Sequence, residues 1–322
     1  MSDNLKEIIA IIQGGKGPEK EVSYKTSLSI QKSMKRLGYE YVLLEADDNI
    51  SQNLISQKIT KAIIAVHGQY AEDGTLQGLL EYLKIPYTGS GVLASSVCMD
   101  KIIFKKIITS LNINTPKYCG VTKHSLKNAE SFLKQVGLPL VVKPSRGGSS
   151  IATFIIKTES EYLTAINKVL ETDSEVLIEK YIDGEEITIP FFANSFLMPI
   201  KISAKQGFYD YKNKYTKGCT NYTILEKINN DKINTPVSKN SMSYLEEAQN
   251  KLKEIIQFLN IRHYGRADFI LSKDDKMYML EINTLPGFTD ESLITKSGEK
   301  ENLNIDDMIK FLIDNARLDY LH

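Results

Sequence analysis

Arginine is scarce in this chain of 322 residues: of its 40 basic residues, only Arg36, Arg146, Arg262, Arg266 and Arg317 carry a guanidinium. A chain that spends lysine on its surface and arginine on so few positions draws attention to the arginines that fall inside motifs, Arg146 and Arg266. An excess of one charge is also missing. Forty acidic residues balance the forty basic ones, which leaves no electrostatic footprint for nucleic acid or an anionic membrane. Cysteine is limited to Cys98, Cys119 and Cys219. An odd number, widely spaced and without a CxxC pair, argues against a disulfide framework and for reduced thiols in a cytosol. No run approaches the roughly 20 apolar residues of a membrane span, and the apolar segment 8–12, behind Asp3 and Glu7, is too short for a secretion signal. His124, His263 and His322 form no zinc-ligand pattern, no GxxxxGK[ST] spacing occurs, and no internal repeat or low-complexity tract is visible. The expectation is a soluble cytoplasmic protein with neither nucleic acid nor membrane as a partner.

What is present is an alternation of strand and helix patterns, an α/β chain long enough for two or three domains. A buried strand is expected at 7–13, a glycine-rich turn at 14–18, a helix over 23–37 stopped by Gly38, and strands at 41–45 and 62–66. This βαβ pattern makes residues 1–97 a small parallel-sheet domain. A helix at about 100–112 leads into a second unit, 98–183, with strands at 140–143, 153–156 and 176–181 and a helix at 159–170. Asp183-Gly184 marks a turn and boundary. The third unit, 184–322, carries strands near 186–192 and 198–203, a polar stretch 209–222, a helix 243–259, a hairpin, and a terminal helix 305–321.

The hairpin is the most informative segment. Gly265-Arg266-Ala267-Asp268-Phe269-Ile270-Leu271 and Met279-Leu280-Glu281-Ile282-Asn283 read as strands joined by the turn residues 272–276. Because side chains alternate along a strand, Arg266 and Asp268 share one face and Glu281 and Asn283 share another. Pairing would collect two carboxylates, a carboxamide and a guanidinium on one surface. Such an oxygen set suits Mg²⁺ beside phosphate, and the arginine suits an anion or a developing oxyanion. The bland alternative is an amphipathic hairpin with a polar outer face, against which Pro286-Gly287 and an asparagine at a strand end both argue.

Three further stretches carry polar groups. Lys143-Pro144-Ser145-Arg146-Gly147-Gly148-Ser149-Ser150 follows an apolar strand, and its glycines and hydroxyls can approach an anion while Lys143 supplies an ammonium. Glu179-Lys180-Tyr181-Ile182 ends a strand like a hinge that could offer backbone groups to an adenine edge, and Glu186 on the next strand could accept from ribose hydroxyls, although in isolation those residues read more readily as a structural strand pair. His67-Gly68 follows a parallel strand and precedes Glu72-Asp73-Gly74-Thr75, a helix start at the carboxyl edge where open α/β sheets hold ligands. No serine or cysteine nucleophile pairs with His67 at recognisable spacing.

Taken in order, Gly14-Gly15…Glu19-Lys20-Glu21-Val22-Ser23, His67-Gly68…Glu72-Asp73-Gly74-Thr75, Pro86-Tyr87-Thr88-Gly89-Ser90-Gly91, Met99-Asp100-Lys101, Val142-Lys143-Pro144-Ser145-Arg146, Tyr209-Asp210-Tyr211…Lys214-Tyr215, Gly265-Arg266-Ala267-Asp268 and Leu280-Glu281-Ile282-Asn283-Thr284…Pro286-Gly287 resemble the D-alanine–D-alanine ligases of the ATP-grasp superfamily. The resemblance runs across nearly the whole chain. It implies three domains, with ATP clamped between the antiparallel sheets of the last two, and two Mg²⁺ or Mn²⁺ ions. It implies ATP-dependent synthesis of D-alanyl-D-alanine through a D-alanyl phosphate, for peptidoglycan, and suggests a homodimer.

Carried over residue by residue, the resemblance gives Lys101 and Lys143 the ATP phosphates. It gives Glu179, Lys180, Tyr181 and Ile182 the adenine, and Glu186 the ribose. Asp268, Glu281 and Asn283 would hold the metals, with Glu281 bridging. Glu19 would orient the first D-alanine, with His67 nearby, and Ser149 and Tyr215 would complete a hydrogen-bonded triad with Glu19. Lys214 and Ser292 would hold the carboxylate of the second D-alanine; Arg266 and the Gly287 N–H would face the tetrahedral intermediate. The polar stretch 209–222 would act as a lid that excludes water from the acyl phosphate. Gly147, Leu285 and Thr295 depart from the usual pattern, as does a lid lacking Cys-Pro-Ala. A ligase joining D-alanine to D-lactate or D-serine is the near alternative, with Tyr215 favouring D-alanine. A non-catalytic nucleotide-binding module is the distant one.

Overall fold

The computed structural model describes residues 7–148, 151–204, 220–225, 227–228, 232–233 and 241–320. Its first sheet is parallel, in the order β2–β1–β3, with β1 at Ile9–Gln13, β2 at Tyr41–Glu45 and β3 at Lys61–Ile64. The central strand reads Ile-Ala-Ile-Ile-Gln and is buried on both faces, as a strand flanked by helices must be. Helix α1, Lys20–Leu37, lays Ser23, Thr26, Ser27, Ile30, Ser33 and Met34 inward. Small side chains at this helical spacing let it approach the sheet closely. Gly38 ends it in the left-handed conformation, with Tyr39 N–H donating to Met34 O at 2.9 Å, the pairing of a Schellman cap. The helix therefore starts three residues earlier than its apolar periodicity suggests, because Glu19 rather than a serine stands at its N-cap.

A four-stranded antiparallel sheet has the order β4–β7–β5–β6, with β4 at Tyr118–Thr122, β5 at Leu140–Pro144, β6 at Phe154–Ile156 and β7 at Glu175–Lys180. The third sheet is also antiparallel and runs β11–β10–β8–β14–β15. Its strands are β8 at Gly184–Phe192, β10 at Ile200–Ala204, β11 at Thr220–Ile224, β14 at Tyr264–Ser272 and β15 at Met277–Asn283. The short β9, Ser195–Phe196, pairs with β8, while β12, Lys227–Ile228, and β13, Lys232–Ile233, pair only with each other.

Three apolar cores correspond to the three larger sheets, but their membership cuts across chain order. The core of the first sheet includes Met308, Ile309, Leu312 and Ile313 from the helix Ile305–Asp314. That helix stops at Asp314, short of the expected 321, and the chain then returns as Arg317 pairs with Tyr87. Ala94, Val97, Phe104 and Ile108, early in the chain, pack in the core of the third sheet. Gly265 marks one close approach in that sheet: a Cβ there would lie 2.2 Å from the Phe191 ring.

Candidate active site

The hairpin forms with the register the alternation requires. Arg266 stands opposite Asn283, Ala267 opposite Ile282 and Asp268 opposite Glu281, followed by a bulge after Asp268. Arg266 forks onto Asp268 through Nε and Nη2 at 2.9 and 2.8 Å. Thr188, from β8, donates to Asp268 Oδ1 at 2.6 Å. Asn283 Oδ1 accepts from Leu285 N–H at 2.8 Å, which turns the chain into Pro286-Gly287. Asp268, Glu281 and Asn283 thus lie at neighbouring register positions, and their donor set is all oxygen. That set fits a hard divalent cation. Among the described residues no cluster of three His, Cys, Asp or Glu side chains has metal-binding geometry, because the third candidate ligand is a carboxamide.

The lysines reach this hairpin from other elements. After helices α2, Ile50–Ser56, α3, Thr75–Tyr82, and α4, Val92–Met99, helix α5, Lys101–Ser110, is capped by Asp100, which accepts from Ile103 N–H at 3.1 Å. Lys101 Nζ donates to Gly147 O at 2.6 Å and lies 3.2 Å from Glu281 Oε2. Lys143, near the end of β5, places Nζ 2.5 Å from Glu179 Oε1, and Lys105 places its own Nζ 2.8 Å from Glu179 Oε2. Burial pushes the Glu179 carboxyl upward, but the two ammoniums outweigh it and hold the group at about 2. For Lys143 burial works downward, and Glu179 and Glu281 more than reverse it, so its pKa lies above the ordinary lysine value. For Lys105 burial dominates over Glu179 and the pKa lies below it.

Lys180 turns its ammonium to Leu138 O at 2.7 Å, and the N–H groups of Lys180 and Tyr181 already donate to Lys117 O and Pro139 O. Lys180, Tyr181, Ile182 and Glu186 nevertheless all line the same space as Lys143 and Glu179. Arg146, suspected for its rarity, lies outside that space. It is half exposed and paired with Asp100 and Glu175, where it ties the 143–148 loop to the start of α5.

Glu19 and His67 lie at the carboxyl edge of the first sheet and are both buried. His67 Nδ1 is 3.1 Å from Leu285 O, and Nε2 is 2.8 Å from Thr26 Oγ1. A carbonyl can only accept, so in the neutral ring Nδ1 carries the proton and Nε2 accepts from Thr26. Thr26 Oγ1 in turn accepts from Phe288 N–H at 3.4 Å. Gly68 lies against the Glu19 carboxylate, with φ at +76° and a built Cβ only 2.6 Å from Oε2. Ser292 Oγ accepts from Thr289 N–H at 2.9 Å and would be 3.3 Å from a Cβ on Gly287. Thr295 fastens this turn by donating to Thr289 O at 2.5 Å or Ser292 O at 2.8 Å. Ser149, Lys214 and Tyr215 lie outside the described residues, as does the expected lid as far as residue 219; its last three residues, 220–222, belong to the strand Thr220–Ile224.

These groups meet around two adjoining spaces. The larger, about 720 Å³, is lined by Glu19, His67, Arg266, Asn283, Gly287 and Ser292. The smaller, about 110 Å³, lies between the two antiparallel sheets and is lined by Lys143 and Glu179 from one and Glu186 and Asp268 from the other. Lys101, Gly147, Gly148 and Glu281 border both. An anion in the smaller space would meet lysines, and a second ligand in the larger would meet Arg266 and Glu19. Sequence reasoning missed Lys105, Thr26 and Thr188. Only Lys105 had a visible signal: it sits on the buried stripe of α5 with Lys101, Ile102, Phe104 and Ile108.

Residues 107–314 match the family model described as "D-ala D-ala ligase C-terminus", and residues 45–90 match "D-ala D-ala ligase N-terminus". A D-alanine–D-alanine ligase of Clostridium botulinum (strain Eklund 17B) is 38% identical over 310 residues, covering 96% of this chain and 98% of its own. One of Carboxydothermus hydrogenoformans is 36% identical, covering 95% and 96%. The crystal structure of the D-alanine–D-alanine ligase from Bacillus anthracis complexed with ATP superposes with a TM-score of 0.80 at 34% identity, covering 96% of each chain. The paired antiparallel sheets are the ATP-grasp arrangement. With its register-matched hairpin, its lysines at the cleft and a match that spans both ends of the fold, this chain belongs to the D-alanine–D-alanine ligase family.

Proposed function

We propose that this chain joins two molecules of D-alanine into D-alanyl-D-alanine while ATP is cleaved to ADP and phosphate, a step in peptidoglycan precursor synthesis carried out in the cytoplasm. The observation that carries this reading is the shared border of the two spaces. Lys101 and Glu281 face both the lysine-rich space and the one that holds Glu19, His67 and Arg266. A phosphoryl group held in the first can therefore reach a carboxylate held in the second.

A free carboxylate is a poor acceptor for an amine, so the reaction runs in two halves. A carboxylate oxygen of the first D-alanine attacks the γ-phosphorus of ATP, the bond to the bridging oxygen breaks, and ADP departs, which leaves D-alanyl phosphate. The neutral amine of the second D-alanine then attacks the acyl carbon. The tetrahedral intermediate expels phosphate, and one proton is released overall. Lys101 and Lys143 bind the phosphates, the segment 179–182 faces the adenine, and Glu186 accepts from the ribose. Glu19 orients the ammonium of the first D-alanine, and the Arg266 guanidinium and Gly287 N–H stabilise the oxyanion. Ser292, with Lys214, holds the carboxylate of the second, and Ser149 and Tyr215 complete the hydrogen bonds of Glu19. Asp268, Glu281 and Asn283 would hold two Mg²⁺ or Mn²⁺ ions, whose charge would help offset that of the phosphoryl group. The segments 1–97, 98–183 and 184–322 are read as the three working units. Water has to be kept from the acyl phosphate, a task assigned to the stretch 209–222.

The test is a mass spectrum of the product formed from ATP, Mg²⁺ and D-alanine, with ADP release followed in parallel. D-Alanyl-D-alanine and stoichiometric ADP are expected. ADP release that requires D-lactate or D-serine beside D-alanine would reassign the acceptor, and nucleotide binding without turnover on any of them would leave a binding module.

A further inference from the structure

Lys105 has no part in the reading above, yet it is the most deeply buried ammonium at the site. Its side chain has 0% exposure, and Nζ lies 2.5 Å from Thr115 Oγ1 as well as 2.8 Å from Glu179 Oε2. The Tyr118 ring closes over it at 5.7 Å, and Thr115 is itself anchored to Met279 O at 2.8 Å. Burying a lysine so completely is costly unless its charge is used. The fold keeps Lys105 on the far oxygen of a carboxylate whose near oxygen faces Lys143.

Charge counting makes the consequence plain. A lone Lys143–Glu179 pair would be closed: one ammonium against one carboxylate, with nothing left for a ligand. With Lys105 on Oε2, the trio Lys105, Glu179 and Lys143 carries one surplus positive charge. Lys105 cannot deliver that charge, because it is sealed between α5 and Tyr118. Lys143 can, since it borders the smaller space and its side chain keeps 12% exposure. We propose that Lys105 is a positioning residue for nucleotide phosphate: it neutralises Glu179 so that the Lys143 ammonium is surplus and turns to the ligand. This deepens the ATP-site reading and rests on it.

The observable is the phosphate increment, the ratio of the adenosine dissociation constant to that of ADP, measured by calorimetry at fixed Mg²⁺. A residue that merely supports the fold moves both constants together; Lys105 moves the ratio. In Lys105→Met, which keeps the length and apolar stem, the ratio falls about tenfold or more as Glu179 captures Lys143, while adenosine binding changes about twofold at most. Glu179→Gln removes the competitor, so Lys105 becomes dispensable, and Glu179→Gln and Lys105→Met/Glu179→Gln have the same ratio. That second comparison does not use the single Lys105→Met variant: the double variant removes both buried charges, and in Glu179→Gln the Lys105 ammonium keeps Thr115 Oγ1 and the new amide oxygen as acceptors. Equal loss of adenosine and ADP in Lys105→Met, or a tenfold drop on adding Lys105→Met to Glu179→Gln, overturns the proposal. A wild-type chain that binds ADP no better than adenosine would instead refute the ATP-site reading itself.

Discussion

The two ends of the cleft are built differently. At the nucleotide end, Lys101, Lys105, Lys143, Glu179, Glu281, Asp268 and Arg266 sit on strands or on a helix and are held in ion pairs at 2.5–3.2 Å. At the other end, Glu19, His67, Gly287 and Ser292 sit at helix starts and turns and Thr26 on the inner face of α1, and the contacts among His67, Thr26, Leu285 and Phe288 are single hydrogen bonds. The first end is organised by buried ion pairs, which suit polyanionic phosphate. The second is organised by shape and single hydrogen bonds, which suit a small zwitterion. The nucleotide end should therefore fail through charge, and the amino acid end through geometry.

The largest effect is expected at the hairpin. Glu281→Gln keeps the shape and removes the charge that borders both spaces, so turnover should fall by roughly a thousandfold or more, with circular dichroism and melting little changed. Near-normal turnover would remove Glu281 from the phosphoryl-transfer machinery. A smaller but distinctive effect is expected on acidification. The Glu179 carboxyl is held at about 2 in the folded chain and returns to an ordinary value near 4.5 when unfolded. The folded state therefore binds fewer protons than the unfolded one across that interval. The stabilisation from Glu179 is complete above the unfolded value and is lost as pH falls towards about 2. Urea midpoints followed from about pH 6 to about pH 3 should drop further in the wild type than in Lys105→Met/Glu179→Gln. Parallel curves would mean that the acid sensitivity lies in other carboxylates.

How legible each end was in the sequence follows from how far apart its partners are. Arg266, Asp268, Glu281 and Asn283 lie within one hairpin, and strand alternation alone fixed their common surface, which the register then reproduced. The contact between His67 and Leu285 joins residues 218 apart, and that between Thr26 and Phe288 joins residues 262 apart. No periodicity reports such meetings; they arise because the core of the first sheet recruits Leu285 and Phe288 from late in the chain. Lys105 stood in between. Its place on the apolar stripe of α5 was visible, but its partner Glu179 comes from another sheet, so only the fold explains why a lysine belongs there. The terminal helix was drawn too long for a related reason. Its last turn gives way at 314 so that Arg317 can reach Tyr87, a tertiary contact that local helix signals do not contain.

At the amino acid end, Gly68→Ala should act through geometry. Its φ of +76° disfavours any side chain, and the new Cβ would press on Glu19 Oε2. A stability loss of about 1–3 kcal/mol is expected, with a raised KM for D-alanine and an unchanged KM for ATP. If the ATP constant rose equally, the two ends could not be treated as separate.

Thr26→Val should give the smallest effect and the sharpest division between the ends. The swap preserves volume and removes one hydroxyl, so the packing of α1 on the first sheet stays as it is. What changes is that His67 Nε2 loses its donor and Phe288 N–H loses its acceptor, a cost of about 1–3 kcal/mol for buried groups left unpaired. The His67 ring then keeps only Leu285 O, at 3.1 Å, and Glu72 Oε1, 3.4 Å from Nδ1, and its plane is no longer fixed from both sides. Because Thr26 also lies 3.9 Å from a Cβ built on Gly287, the turn that offers the Gly287 N–H loosens with it. The expected result is a fall of about tenfold in kcat/KM for D-alanine, recovered in Thr26→Ser, with ATP and ADP binding untouched. Loss of nucleotide affinity in Thr26→Val would show that the hydrogen-bonded end and the charge-paired end are one coupled unit, and the distinction between them would have to be given up.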